Sequence, residues 1–123
     1  MVYRVVVADD EPAFRGWLRS LLEKSEDFRF VGEAGSGAEA VELIPHLKPD
    51  LLIVDMYMPE PDGVELARYV QDNYPGTRAI IVSAHQDRVY EKLATDEGAL
   101  AFIPKTKVSL ETLRRALQTE DGP

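Results

Sequence analysis

The chain contains no cysteine, so it can build neither a disulfide framework nor a thiolate metal site. No apolar run approaches the roughly 18 residues that a membrane-spanning helix needs. Residues 1–8 form a short strand-like run, not a basic start followed by a cleavage site, and do not read as a signal peptide. Positive charge is scarce too: 14 Lys and Arg stand against 22 Asp and Glu, a net charge of −8. A surface of that sign repels phosphates, which argues against direct contact of this domain with nucleic acid and leaves room for a basic module beyond Pro123. No glycine-rich phosphate loop follows the first apolar stretch, where Asp9-Asp10-Glu11 stands instead. No internal repeat or low-complexity segment is present. These absences leave a cytoplasmic domain, outside any membrane, as the expectation.

What the chain does have is enough apolar material, 45% of 123 residues, to fill one core. Its organising stretch is Asp50-Leu51-Leu52-Ile53-Val54-Asp55-Met56-Tyr57-Met58-Pro59-Glu60-Pro61-Asp62-Gly63. Four apolar residues in a row suit a strand covered on both faces, as in a parallel sheet. Asp55 then falls at the strand's C-terminal end, and the prolines and Gly63 turn the chain.

Similar strand patterns recur at Val2–Ala8, Phe28–Ala34, Arg78–Val82 and Leu100–Ile103. Between them lie helical spacings. Pro12 opens the first, and Phe14, Trp17, Leu18, Leu21 and Leu22 give it an apolar face on which Trp17 reads as core. Ser36 and Glu39 form a capping-box pattern for the second, which Pro45 should kink or end early. Asp62 caps the third, and Pro75-Gly76 closes it. The fourth, about Asp87 to Thr95, has few large apolar residues beyond Val89 and Leu93, and the last follows Ser109 with Leu110, Leu113 and Leu117 on one face. Five strands alternating with five helices predict a doubly wound, flavodoxin-like (βα)5 fold with one parallel sheet covered on both faces. Thr119 to Pro123 reads as a frayed tail or the start of a linker, so the domain is expected to span 1–119, with 120–123 outside it.

Parallel strands share one C-terminal edge, and ligands of open α/β sheets bind there. Asp9-Asp10, Asp55, Ser83 and Lys105 all end strands and should converge. Clustered carboxylates suit a hard divalent cation, and Mg²⁺ in particular when a phosphate is also present. A lysine can balance a phosphoryl group, a serine can hydrogen-bond it, and an aspartate between metal and lysine can be its acceptor. Each residue also has a plainer use. Asp9-Asp10 alone could be a solvated turn, Asp55 a surface acid, Ser83 a partner for strand-end backbone, and Phe102 core. His46 reads as a surface residue near a helix end, and Lys107 as a competitor that, unlike Lys105, does not directly follow the strand.

Taken together, Val5-Val6-Val7-Ala8-Asp9-Asp10-Glu11, Pro49 to Pro59 with Asp62-Gly63, Ile81-Val82-Ser83-Ala84 and Phe102-Ile103-Pro104-Lys105 resemble a response-regulator receiver domain of bacterial two-component signalling. The resemblance covers essentially the whole chain. It implies that Asp55 accepts a phosphoryl group from a sensor histidine kinase. It also implies that Asp9, Asp10, Asp55 and the backbone carbonyl of Tyr57 hold Mg²⁺, and that Lys105 contacts the phosphoryl group. Ser83 and Phe102 would be the switch pair, while Tyr57 and His85 flank the site and tune dephosphorylation. Many receivers carry proline after that lysine; here Thr106 follows Lys105, as in receivers joined to LuxR-type helix-turn-helix output domains. A homodimer and a DNA-binding output module beyond residue 123 are further implications. On this reading the chain is a phosphoacceptor switch in transcriptional regulation and not an enzyme. Two rivals stay open. One is a degenerate receiver that binds partners without phosphorylation. The other is an aspartate-nucleophile phosphatase, although Tyr57 stands where those enzymes place a second aspartate.

Overall fold

A computed structural model describes residues 1–84 and 88–120 of the chain. In order they form β1 (Tyr3–Ala8), α1 (Pro12–Glu23), β2 (Phe28–Ala34), α2 (Gly37–Leu47), β3 (Leu51–Asp55), α3 (Gly63–Asn73), β4 (Arg78–Ser83), α4 (Arg88–Asp96), β5 (Ala101–Pro104) and α5 (Leu110–Glu120), with a 3₁₀ turn at Lys105–Lys107. All four strand pairings are parallel, in the order β2-β1-β3-β4-β5. This is the flavodoxin-like architecture expected from the alternating pattern.

The period-2 geometry of the strands sends alternate side chains to opposite faces. Val5, Val7, Leu51, Ile53, Ile80 and Val82 meet Phe14, Leu18 and Leu22 of α1 and Leu113 and Leu117 of α5. Val6, Ala8, Leu52, Val54 and Ile81 meet Ala40 and Ile44 of α2, Leu66, Ala67 and Val70 of α3, and Ala94 of α4. Every residue of β3 is buried, which is why that strand reads as a continuous apolar run. Burying each such side chain contributes about 1.5–3 kcal/mol, so the sheet's centre is its most firmly held part.

The helix starts follow the sequence chemistry. Pro12 occupies the first turn of α1. Asp62 and Glu65 complete a reciprocal capping box on α3, with bonds of 2.9 and 3.0 Å. Ser109 Oγ accepts from Thr112 N at 3.0 Å ahead of α5.

Several local expectations are corrected. Trp17 is 47% exposed rather than core, because Leu18 and Leu22 already fill the stripe of α1 that faces the sheet. Only half of the capping box on α2 forms: Ser36 Oγ accepts from Glu39 N, but the Glu39 carboxylate accepts from Gly35 N. Pro45 does not stop α2, which continues to Leu47 and closes with Lys48 in a left-handed conformation, φ 47°. Val2 lies outside β1 and is exposed. On α4, Val89 and Leu93 are exposed and only Ala94 is buried. β5 begins at Ala101 rather than Leu100. α5 extends to Glu120, while residues 121–123 of the expected tail lie outside the described residues.

Candidate functional site

Asp9 continues directly from β1, which is clamped between β2 and β3. Its backbone N–H still bonds Ala34 O at 3.0 Å, and its Oδ1 accepts from Glu11 N at 2.8 Å. Asp9 is therefore fully buried and fixed, whereas Asp10 beside it is exposed. Asp55 ends β3 at the same edge, 6% exposed, and its Oδ1 takes a long 3.4 Å bond from Tyr57 N. Gly63 lets α3 begin against this point. A Cβ there would come within 2.4 Å of Asp55 O, so the chain can fold back only with glycine.

Lys105, at the end of β5, places Nζ 2.8 Å from Asp9 Oδ2 and 3.8 Å from Asp55 Oδ2. Its ammonium also lies 4.4 Å from the Phe14 ring centroid, a cation–π contact that roofs the lysine from the α1 side. Ser83 ends β4 fully buried, in register with Pro104. The structure thus brings Asp9, Asp10, Asp55, Ser83 and Lys105 to one edge, as their strand-end positions require. Phe102, on β5, is half-buried against the core cluster that includes Ala94. Tyr57 is 46% exposed, with its ring edge-on to Tyr90 of α4 at 6.0 Å. His85 lies outside the described residues.

The electrostatics are unbalanced. Burial and then the neighbouring Asp9 push the Asp55 carboxyl up to about 6, against the opposing pull of Lys105 and the Tyr57 N–H. Burial disfavours the Lys105 ammonium, but its contact with Asp9 and the charges of Asp55, Asp9 and Glu11 outweigh that and raise it. One ammonium therefore faces three acids. Asp9, Asp10 and Asp55 offer carboxylate oxygens that all lie within 4.8 Å of one another. Asp9 Oδ2 is buried and, despite the nearby ammonium, has no aligned hydrogen bond. An all-oxygen set with surplus negative charge and an under-bonded buried oxygen fits a hard divalent cation.

Two supporting residues escaped the sequence reading. Arg15 Nη1 donates to Asp9 O at 2.5 Å while its Nε donates to Glu33 Oε1 at 2.8 Å. Phe14 lies on the core-facing stripe of α1, yet its ring also faces Lys105. A signal for Arg15 exists in hindsight. Pro12 fixes the helix start, and a long side chain one turn in leans back toward the N-terminus, where Asp9 lies.

Comparison with known proteins shows the family. Residues 5–118 match the family model of the response regulator receiver domain. The probable transcriptional regulatory protein NarL of Mycobacterium tuberculosis is 36% identical over 119 residues, covering 97% of this chain and 55% of its own length. The chain thus spans about half the length of that curated relative. The solved signal receiver domain of NarL from Mycobacterium tuberculosis superposes with a TM-score of 0.88 at 35% identity, covering 99% of this chain and 98% of that one. A LuxR-family two-component response regulator from Aurantimonas superposes with a TM-score of 0.85 at 27% identity, covering 97% and 84%. The chain belongs to the response-regulator receiver domain family, and its relatives include LuxR-family regulators.

Proposed function

We propose that this receiver is a phosphorylation-controlled switch in which Asp55 takes a phosphoryl group from the histidine of a sensor kinase. The observation that carries this reading is the position of Asp55, buried at the end of β3 with Lys105 3.8 Å away and two further acids within metal-sharing distance. Asp9, Asp10, Asp55 and the Tyr57 carbonyl would hold Mg²⁺, which when bound neutralises the carboxylates and the phosphoryl oxygens.

The chain's own residues do the rest. With its carboxyl pushed up to about 6, Asp55 is ionised at neutral pH and is a competent nucleophile. One of its oxygens forms the new P–O bond as the bond from phosphorus to the kinase histidine breaks. The histidine keeps that electron pair and is reprotonated. Lys105 then sits beside two phosphoryl negative charges instead of one carboxylate. Ser83 donates its hydroxyl proton toward the new oxygens, and Phe102 moves into the space this opens. The outcome is a population shift at the surface of α4, β5 and α5. By its likeness to regulators such as NarL, this shift would govern dimerisation or a transcriptional output module outside this chain. Tyr57, two residues after Asp55, and His85, two residues after Ser83 in the sequence, would set how long the phosphoryl group stays.

The test is intact-protein mass after incubation with Mg²⁺ and acetyl phosphate. One added phosphoryl group is expected, absent without Mg²⁺ and absent in Asp55→Asn. A folded native chain that gains no mass would replace this reading with a receiver that signals by binding alone. Sustained turnover of a phosphate ester would point instead to a phosphatase.

A further inference from the structure

We infer that Arg15 is a positioning residue for the acidic cluster, orienting Asp10 through the Asp9–Asp10 peptide rather than by touching it. Asp9 and Asp55 are held by burial and by backbone hydrogen bonds to their carboxylates. Asp10 has neither aid: it is exposed and makes no hydrogen bond or ion pair among the described residues. Only the backbone can aim its side chain. The bond from Asp9 N to Ala34 O is the last between β1 and β2, so the sheet ladder ends directly before this peptide.

At that point Arg15 Nη1 donates to Asp9 O at 2.5 Å. Gripping this carbonyl fixes the peptide plane before Asp10, and the Glu11 N–H bond to Asp9 Oδ1 holds the plane after it, so the two together set where the Cα–Cβ bond of Asp10 points. Arg15 is itself anchored, because its Nε donates to Glu33 Oε1 of β2 at 2.8 Å and its side chain is only 18% exposed. One planar fork therefore ties α1, β2 and the end of β1 together. Glu33 cancels the guanidinium charge, so Arg15 supplies a donor beside the cluster without adding net positive charge that would repel a cation. Lysine cannot copy this. Its single ammonium has no fixed fork with which to span both acceptors.

Arg15 has this role only if a cation binds the cluster as proposed above. The measurement is a Mg²⁺ titration of the chain followed by amide chemical shifts, with thermal melts in the absence of divalent cation. Arg15→Ala should raise the Mg²⁺ Kd about tenfold, the lower end for groups that orient metal ligands, while Arg19→Ala stays within about twofold. Arg19 is the control because it lies 3.9 Å from Glu33, on the same helix, without a bond to Asp9. Arg15→Lys keeps the charge and should still weaken binding, which assigns the effect to the fork; it also carries the test if Arg15→Ala does not fold. Native-like Mg²⁺ affinity in Arg15→Lys or Arg15→Ala would overturn the inference. So would equal weakening in Arg15→Ala and Arg19→Ala. A native chain that binds no Mg²⁺ would overturn both this inference and the functional reading, whereas a binding native chain with unaffected variants removes Arg15 alone.

Discussion

Two aspartates bracket the central strand, and they live in opposite circumstances. Asp50, just before β3, is bonded on every side. Its Oδ2 accepts from Arg4 N at 2.8 Å, its own N–H reaches Arg4 O at 2.8 Å, and its carbonyl accepts from Arg78 N at 3.0 Å. Around it, Arg4 Nη2 caps Leu47 O at 2.8 Å and the Thr77 hydroxyl donates to Pro49 O. Asp55, at the other end of the same strand, faces two acids and a single ammonium and is pushed up to about 6. The N-terminal edge is a closed polar network that secures the fold. The C-terminal edge is left short of partners, and a cation or a phosphoryl group would complete it. The same residue type becomes structural or reactive according to what its neighbours withhold.

Removing charge at each end should have opposite effects. Asp55→Asn is expected to stabilise the metal-free protein at pH 7.5 by on the order of 2–3 kcal/mol in urea unfolding. The sign follows from linkage. The unfolded carboxyl titrates near 3.8 and the folded one near 6, so between those values the folded state holds more protons. Stability contributed by the native Asp55 is thus present at low pH and lost as pH rises from about 4 to about 6, and the Asn variant should lack that slope. Equal slopes in both proteins would break the contrast. Asp50→Ala should instead destabilise by about 1–2 kcal/mol, since it orphans the half-buried Arg4 N–H.

Cation binding should act on one edge only. At ten times its Kd, Mg²⁺ would stabilise the native chain by about 1.4 kcal/mol. Melting curves should show this gain intact in Asp50→Ala and abolished in Asp10→Asn. The smallest effect is expected far from both edges. Arg114 of α5 holds Asp27 through bonds of 2.7 and 2.8 Å and keeps that carboxyl well below the usual range. Arg114 is solvent-exposed, so Arg114→Ala should shift the unfolding midpoint only slightly, and less still at high salt.

The contrast also explains what was legible in the sequence. Strand-end residues could be placed on one edge because parallel strands impose a shared direction, and Asp62 and Ser109 could be read as caps because capping is local. The N-terminal network could not be seen, since Arg4 and Asp50 meet only once β1 and β3 are paired. Arg15 was hidden for the same reason: its acceptor is a backbone carbonyl, which has no sequence signature. Gly37 is a third instance. A Cβ there would lie 1.9 Å from Pro61 O, a contact between α2 and the loop after β3 that no spacing rule announces. Trp17 failed differently. Helical periodicity marks a wide apolar stripe, but burial depends on how much of it the sheet can cover.

The unequal burial of α4 and β3 has a consequence for how disturbance spreads through the domain. All five residues of β3 are buried, while α4 sinks only Ala94 among its described residues. Opening free energy tracks buried apolar contact. Amide hydrogens of α4 should therefore exchange with solvent through small local openings, while those of β3 wait for global unfolding. In the proposed switch, a phosphoryl group on Asp55 would press on a rigid anvil at β3 and find a yielding helix in α4. Motion would then be deflected toward the element that costs least to move, and that gradient would give the switch a direction.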